Sequence, residues 1–180
     1  CSHSDVGVRN VDLIKNGGFK TEIFDRKMIG HVALYNIEDT TVAVERILQS
    51  RELLLKTANE AYPSIVTRGG GACDIEVKVL SEEGVDFVVV YLIVDTLEAM
   101  GANMLNTMLE ALKVSLELLT EGVALMAILS NYATKSLVTA TCEIDSKLLG
   151  GNHVAKKIDL ASKFAKIDTY RAATHNKGIF

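Results

Sequence analysis

GGGACDIEVKVLSEEGVDFVVVYLIVD, residues 69–95, is the stretch that decides the fold. Gly69-Gly70-Gly71 opens a strand around Asp74–Leu80, and Glu82-Glu83-Gly84 makes a turn into the almost wholly apolar run Val85–Asp95. Two such runs joined by a tight turn predict a β-hairpin, and the unbroken second run predicts a largely buried strand. That run contains Asp86 and is far shorter than the roughly 20 residues of a membrane-spanning helix, so no transmembrane segment is expected.

Upstream, MIGHVALYNI (28–37) is rich in β-branched and aromatic residues and predicts a strand. Glu38-Asp39-Thr40 then supplies an N-cap and acidic charge for a helix over Thr41–Ala61, in which Val44, Ile47, Leu48, Leu54, Leu55 and Ala58 recur at helical spacing until Pro63 stops it. The first two dozen residues are polar, with Asn16-Gly17-Gly18 as a turn, and predict an extended or frayed arm over 1–24. Downstream, a second long helix is expected from about Glu98 to Thr120, followed by strands at Val123–Leu129 and Lys135–Ile144 and an amphipathic helix near His153–Ile167. The order is β-α-β-β-α-β with an added strand and C-terminal helix. It predicts an α+β, ferredoxin-like antiparallel sheet with helices on one face, not a doubly wound sheet.

A chain of 180 residues, 48% apolar and 23% charged with one proline, can bury the core of a globular domain. Its net charge of −4 and pI near 5.6 argue against nucleic acid as a partner. Three cysteines, Cys1, Cys73 and Cys142, without C-x-x-C spacing, and an N-terminus without a basic-then-apolar leader, lead to the expectation of a reduced, cytoplasmic protein. Cys73 and Cys142 fall on predicted strands, where a small buried hydrophobe is the expected role. Met100, Met104 and Met108 fall on one helical face and are expected to pack there.

Chemistry concentrates in two places. Glu98-Ala99-Met100-Gly101-Ala102-Asn103, with Asn106 beyond it, lies where a buried strand turns into a helix. Small residues there let a cofactor approach the backbone, unpaired helix N–H groups face pyrophosphate, and Asn103 and Asn106 add hydrogen bonds. The same residues also suit a helix start that packs tightly against the sheet. Neither G-x-G-x-x-G nor G-x-x-x-x-G-K-[ST] occurs in the required context. The second place is the polar run 168–178, in which Arg171 can clamp a carboxylate and Lys177 can stabilise an oxyanion formed by hydride transfer to a carbonyl. His175 is either an acid–base group or a solvated side chain, and no histidine has metal-ligand spacing.

Taken together, GGGACDIEV (69–77), LIVDTLEAMGANMLNT (92–107), AILSNYA (127–133), SLVTATCEI (136–144) and YRAATHNKGI (170–179) resemble class II hydroxymethylglutaryl-CoA reductases over roughly residues 11–179. The resemblance implies a ferredoxin-like NAD(P)-binding small domain over 25–145, an arm from the large domain over 1–24, and a return segment over 146–180. It implies NADPH or NADH as cofactor, held by Glu98 to Asn103, Asn106 and Asn131. Lys177 is then the catalytic lysine and Arg171 a substrate-carboxylate ligand. The implied reaction interconverts hydroxymethylglutaryl-CoA and mevalonate plus CoA by two hydride transfers. The family's pattern implies a homo-oligomer built on dimers, and the residues themselves give no reason to expect a metal.

Three positions depart from the family pattern. Glu98 replaces the loop's usual first aspartate, Thr169 replaces a proline, and Tyr62 stands where relatives that prefer NADH carry an aspartate. The family's catalytic glutamate, aspartate and histidine fall outside the matched residues, so the isolated chain is expected not to turn over. The alternative reading is a non-enzymatic ferredoxin-like module for oligomerisation or small-molecule sensing.

Overall fold

The computed structural model describes residues 18–176, with the backbone alone for His175 and Asn176. Its chain divides into two compact units, one of Ile23–Val138 and one of the segments on either side.

In the first unit, β1 (Lys20–Tyr35) leads to helices α1 (Thr40–Gln49), α2 (Arg51–Ala61) and the one-turn α3 (Pro63–Val66). The hairpin β2 (Gly71–Glu82) and β3 (Val85–Asp95) follows, then α4 (Ala102–Thr120), β4 (Val123–Ser130) and β5 (Ser136–Thr141), whose last three residues belong to the other unit. The sheet order is β2-β3-β1-β4, with β5 pairing with β1 off this path. The β2–β3, β3–β1 and β1–β4 pairs are all antiparallel. This is the ferredoxin-like split β-α-β order expected from the sequence.

Alternation decides which face is covered. Val32 and Leu34 of β1 and Val88, Val90, Leu92 and Val94 of β3 point into one core with Ile47, Leu54, Leu105, Leu109, Leu112 and Leu116 of the helices. Each fully buried Leu or Ile there contributes about 1.5–3 kcal/mol of burial free energy. β3 is buried on its other face as well, with Val89 at 6% and Ile93 at 2% exposure, as its unbroken apolar run implies. The hairpin turns on Glu83 and Gly84, both with positive φ, the pattern of a type I′ turn.

Asp39 caps α1 as expected, its carboxylate accepting from the N–H groups of Thr41 and Val42. The single helix expected over Thr41–Ala61 is instead two. Ser50, at φ −91° and ψ 9°, ends one and starts the next. The predicted helix start at Glu98 is also corrected: residues 96–101 form a loop with a turn at Leu97 and Glu98, and α4 begins at Ala102. The strand expected from Met28 begins at Lys20, inside the segment read as an arm, because pairing rather than its own polar pattern orders it.

The second unit carries α5 (Asn152–Ile167) and α6 (Thr169–Asn176). The second of these is a helix that the sequence pattern does not predict. Yet Asp168 caps it in the ordinary way, its Oδ2 accepting from Arg171 N at 2.7 Å while its carbonyl accepts from Ala172 N at 2.8 Å. Among the described residues, no helix is long and apolar enough to cross a membrane.

Candidate functional site

Lys27 of β1 pairs with Asp95 of β3, and Ile29 of β1 pairs with Ser130 of β4. Because β1 is antiparallel to both neighbours, the chain leaves β3 and β4 at the same end of the sheet, on either side of β1. Residues 96–101 and 131–135 begin there.

The first of these loops is held by its own backbone. Leu97 N donates to Asp95 Oδ1 at 2.9 Å, Ala99 N donates to the Thr96 carbonyl at 3.0 Å, and Thr96 is 3% exposed. Gly101 closes the loop at φ 82°, in the left-handed region that favours glycine. A Cβ there would lie 2.5 Å from Thr96 Cγ2 and 3.2 Å from Met28 Sδ. The residue therefore answers to two constraints, its backbone angle and the space in front of it.

Gly101 is the N-cap of α4, and no side chain caps that helix or places a carboxylate in its first turn. Leu105 N bonds the Gly101 carbonyl, so the N–H groups of Ala102, Asn103 and Met104 are those without an intrahelical acceptor. Nineteen aligned residues put a positive dipole end behind them, which favours an anion. Asn103 is exposed at this end. Asn106 uses its Oδ1 to accept from Leu129 N at 3.0 Å, tying the second turn of α4 to the end of β4. Asn131 is exposed in the loop that follows, beside Ser130, whose hydroxyl oxygen accepts from Tyr132 N.

Glu98 is tethered by Arg26, whose two terminal nitrogens donate to its carboxylate at 2.9 and 3.4 Å. The hydrogen bond and charge of Glu98 raise the Arg26 pKa further above its ordinary value. An open depression of about 300 Å³ lies here, lined by Arg26, Met28, Ser136 and residues 96–100. Met100 is 79% exposed on this loop, whereas Met104 and Met108 are buried in the core, so the expected three-methionine packing face holds for two.

The triple glycine packs against the same loop. A Cβ on Gly70 would meet the Asp95 carbonyl oxygen at 2.6 Å and Leu97 Cγ at 3.0 Å. The strand it opens is bulged between Ala72 and Asp74. Cys73, in that bulge, is exposed rather than a buried hydrophobe, because the extra residue turns it out of the ladder. Its Sγ donates to the Ile93 carbonyl at 3.3 Å, and desolvation pushes the thiol pKa up, the opposite of a nucleophile's requirement. Cys142 is partly buried just beyond the end of β5.

The structure thus brings Glu98, Ala99, Met100, Gly101, Ala102, Asn103, Asn106 and Asn131 to one end of one unit. Arg171 belongs to α6 in the other unit, and Lys177 lies outside the described residues. Sequence reasoning missed Arg26 and Thr96, which shape the loop. Arg26 is 72 residues from its partner, a separation at which no local pattern signals the pair. Among the described residues, no group of three His, Cys, Asp or Glu side chains is arranged to hold a metal ion.

The antiparallel β2-β3-β1-β4 sheet, with helices on one face and an uncapped helix start at one end, defines a ferredoxin-like α+β domain. The family model described as hydroxymethylglutaryl-coenzyme A reductase matches residues 9–180, and the chain belongs to that family. It is 38% identical over 165 residues to the 3-hydroxy-3-methylglutaryl-coenzyme A reductase of Archaeoglobus fulgidus, covering 92% of this chain and 38% of that protein. A solved structure of the Streptococcus pneumoniae enzyme matches with a TM-score of 0.93 and 55% identity, over 100% of this chain and 50% of that one. A second, of the class II Streptococcus pneumoniae enzyme bound to NADPH in open conformations, matches at TM-score 0.91 and 54% identity, over 98% of this chain and 49% of that one. The chain thus spans half or less of the length of these relatives.

Proposed function

We propose that residues 25–145 form the nucleotide-binding part of a reductase that interconverts hydroxymethylglutaryl-CoA with mevalonate and CoA by two NAD(P)H-dependent hydride transfers. The observation that carries this reading is the start of α4, where three N–H groups without intrahelical acceptors stand behind a glycine that only a missing side chain allows. Family membership and the NADPH carried by the Streptococcus pneumoniae structure support it.

The residues fit such a nucleotide. Ala102, Asn103 and Met104 N–H groups hold the pyrophosphate, and Gly101 lets it approach the backbone. Glu98, Ala99 and Met100 shape the wall, with Arg26 fixing Glu98 in place. Asn131, with Asn106 bracing the adjoining strand end, contributes hydrogen bonds from the other side of β1. The nucleotide, when bound, supplies the hydride. Arg171 takes the substrate carboxylate, and Lys177 stabilises the oxygen of the carbonyl being reduced. We assign the protein to the cytoplasm as a dimer-based homo-oligomer, and the isolated 180-residue chain to nucleotide binding without turnover.

A titration that follows NADPH fluorescence tests the reading, with Asn131→Ala beside the unmodified chain. Saturable binding weakened by the substitution is expected. Equal affinity in the two proteins would remove Asn131 from the site, and self-association without any nucleotide dependence would favour the module reading instead.

A further inference from the structure

We infer that Lys135 is a positioning residue: its ion pair with Glu76 pins the loop that carries Asn131 onto the open face of the sheet. The inference rests on the nucleotide-binding reading of Asn131, and every residue it uses belongs to the unit Ile23–Val138.

Register forces this loop out of the sheet. Ser130 of β4 pairs with Ile29 of β1, while the Lys135 carbonyl accepts from Lys27 N at 2.7 Å. Positions 27 and 29 are about 7 Å apart along an extended strand, so residues 131–134 have no room in the ladder. They fold on themselves instead. Tyr132 N donates to Ser130 Oγ at 3.1 Å, Thr134 N to the Tyr132 carbonyl at 2.9 Å, and Ser136 N to the Ala133 carbonyl at 3.1 Å. A loop bonded in this way moves as one piece, with Asn131 at one end and Lys135 at the other.

The ion pair fixes where that piece sits. Glu76 stands in one row across the sheet with Tyr91 and His31, on the face opposite the helix-covered Leu92 and Val94. Lys135 Nζ donates to Glu76 Oε1 at 2.5 Å, past β1 and β3, the two strands that separate β4 from β2. Between loop and sheet lies a groove of about 300 Å³, walled by Tyr132, Thr134 and Lys135 on one side and by Tyr91 and Ile93 of β3 on the other. Tyr132 is 81% exposed, so packing does not hold the loop down and the charge contact does. Asp74, a second carboxylate that acts on the Lys135 charge, is already bonded to Arg51 at 2.7 Å. The backbone bond to Lys27 fixes only the end of the loop, whereas the reach to β2 fixes its tilt over the face.

Titration of the 180-residue chain with NADPH, beside Glu76→Gln, Lys135→Met and Asn131→Ala, tests this by the sign of one effect. Removing a carboxylate near an anionic ligand strengthens binding by charge alone, whereas removing a latch weakens it. Glu76→Gln and Lys135→Met are each expected to weaken NADPH by about three- to fivefold, the ceiling for an ion pair with exposed partners. The double variant should bind no worse than either single one, and neither substitution should add to the loss in Asn131→Ala. Unchanged or tighter binding by Glu76→Gln, or losses that add in the double variant, would overturn the latch while leaving the nucleotide site in place. A full Lys135→Met loss in the Asn131→Ala background would overturn it as well, by showing that Lys135 acts on the ligand directly. Unchanged affinity in Asn131→Ala, or no binding by a folded unmodified chain, would overturn the underlying reading, and this inference with it.

Discussion

Gly101 faces the methyl of Thr96 so closely that a Cβ on the glycine would lie 2.5 Å from Thr96 Cγ2. Thr96 is 3% exposed and cannot swing into solvent, and the glycine φ of 82° resists any β-branched replacement. Gly101→Val is therefore expected to lower stability by about 1–3 kcal/mol through backbone strain alone. It should also displace the loop in front of α4. Thermal unfolding and nucleotide titration on the same preparation separate the two effects.

Asn59 clamps the entry of β2 by holding both backbone groups of one residue. Its Oδ1 accepts from Ala72 N at 2.8 Å and its Nδ2 donates to the Ala72 carbonyl at 3.1 Å. Asn59→Ala leaves two part-buried groups without partners, at a cost of about 2–3 kcal/mol. Urea unfolding should show a lower midpoint with an unchanged slope.

Asp74 accepts from Arg51 Nη2 at 2.7 Å, and that bond holds its carboxyl below the usual carboxylate value despite an opposing desolvation. A pKa depressed in the folded state stabilises above the unfolded value, near 3.9, and that contribution is lost as pH falls through the folded value. Asp74→Asn should thus lose stability at pH 7 and converge with the unmodified chain at low pH. Both side chains are more than a third exposed, so solvent screening limits the difference to about 1 kcal/mol or less. Unfolding midpoints measured from pH 7 down to pH 3 check the convergence.

Two leucines six residues apart on α4 are expected to differ sharply. Leu112 is fully buried and Leu118 is 77% exposed. Leu112→Ala should cost about 2–5 kcal/mol, and Leu118→Ala no more than about 0.5 kcal/mol. Parallel denaturant titrations of the two variants read this out.

The elements legible in the sequence were those whose own pattern suffices. β3 declares itself by an unbroken apolar run, the turn by Glu83-Gly84, and α1 by the Asp39 cap. What escaped depends on partners or on single dihedrals. Residues 20–27 are mostly exposed and, apart from Ile23 and Phe24, polar, and a neighbouring strand pairs with the strand they begin. The break at Ser50 is one residue's ψ within an otherwise continuous helical pattern. The site divides the same way: a glycine among small residues at a strand end marks a close approach, while the Arg26–Glu98 tether joins residues that only the folded sheet brings together.

Isothermal titration of the 180-residue chain with NADPH, run beside Gly101→Val, tests the central claim most directly. Saturable one-site binding by the unmodified chain, abolished in a variant that still unfolds cooperatively, is the result expected of a nucleotide site at the start of α4. Binding of equal affinity in both proteins, or no binding by a folded unmodified chain, would contradict it.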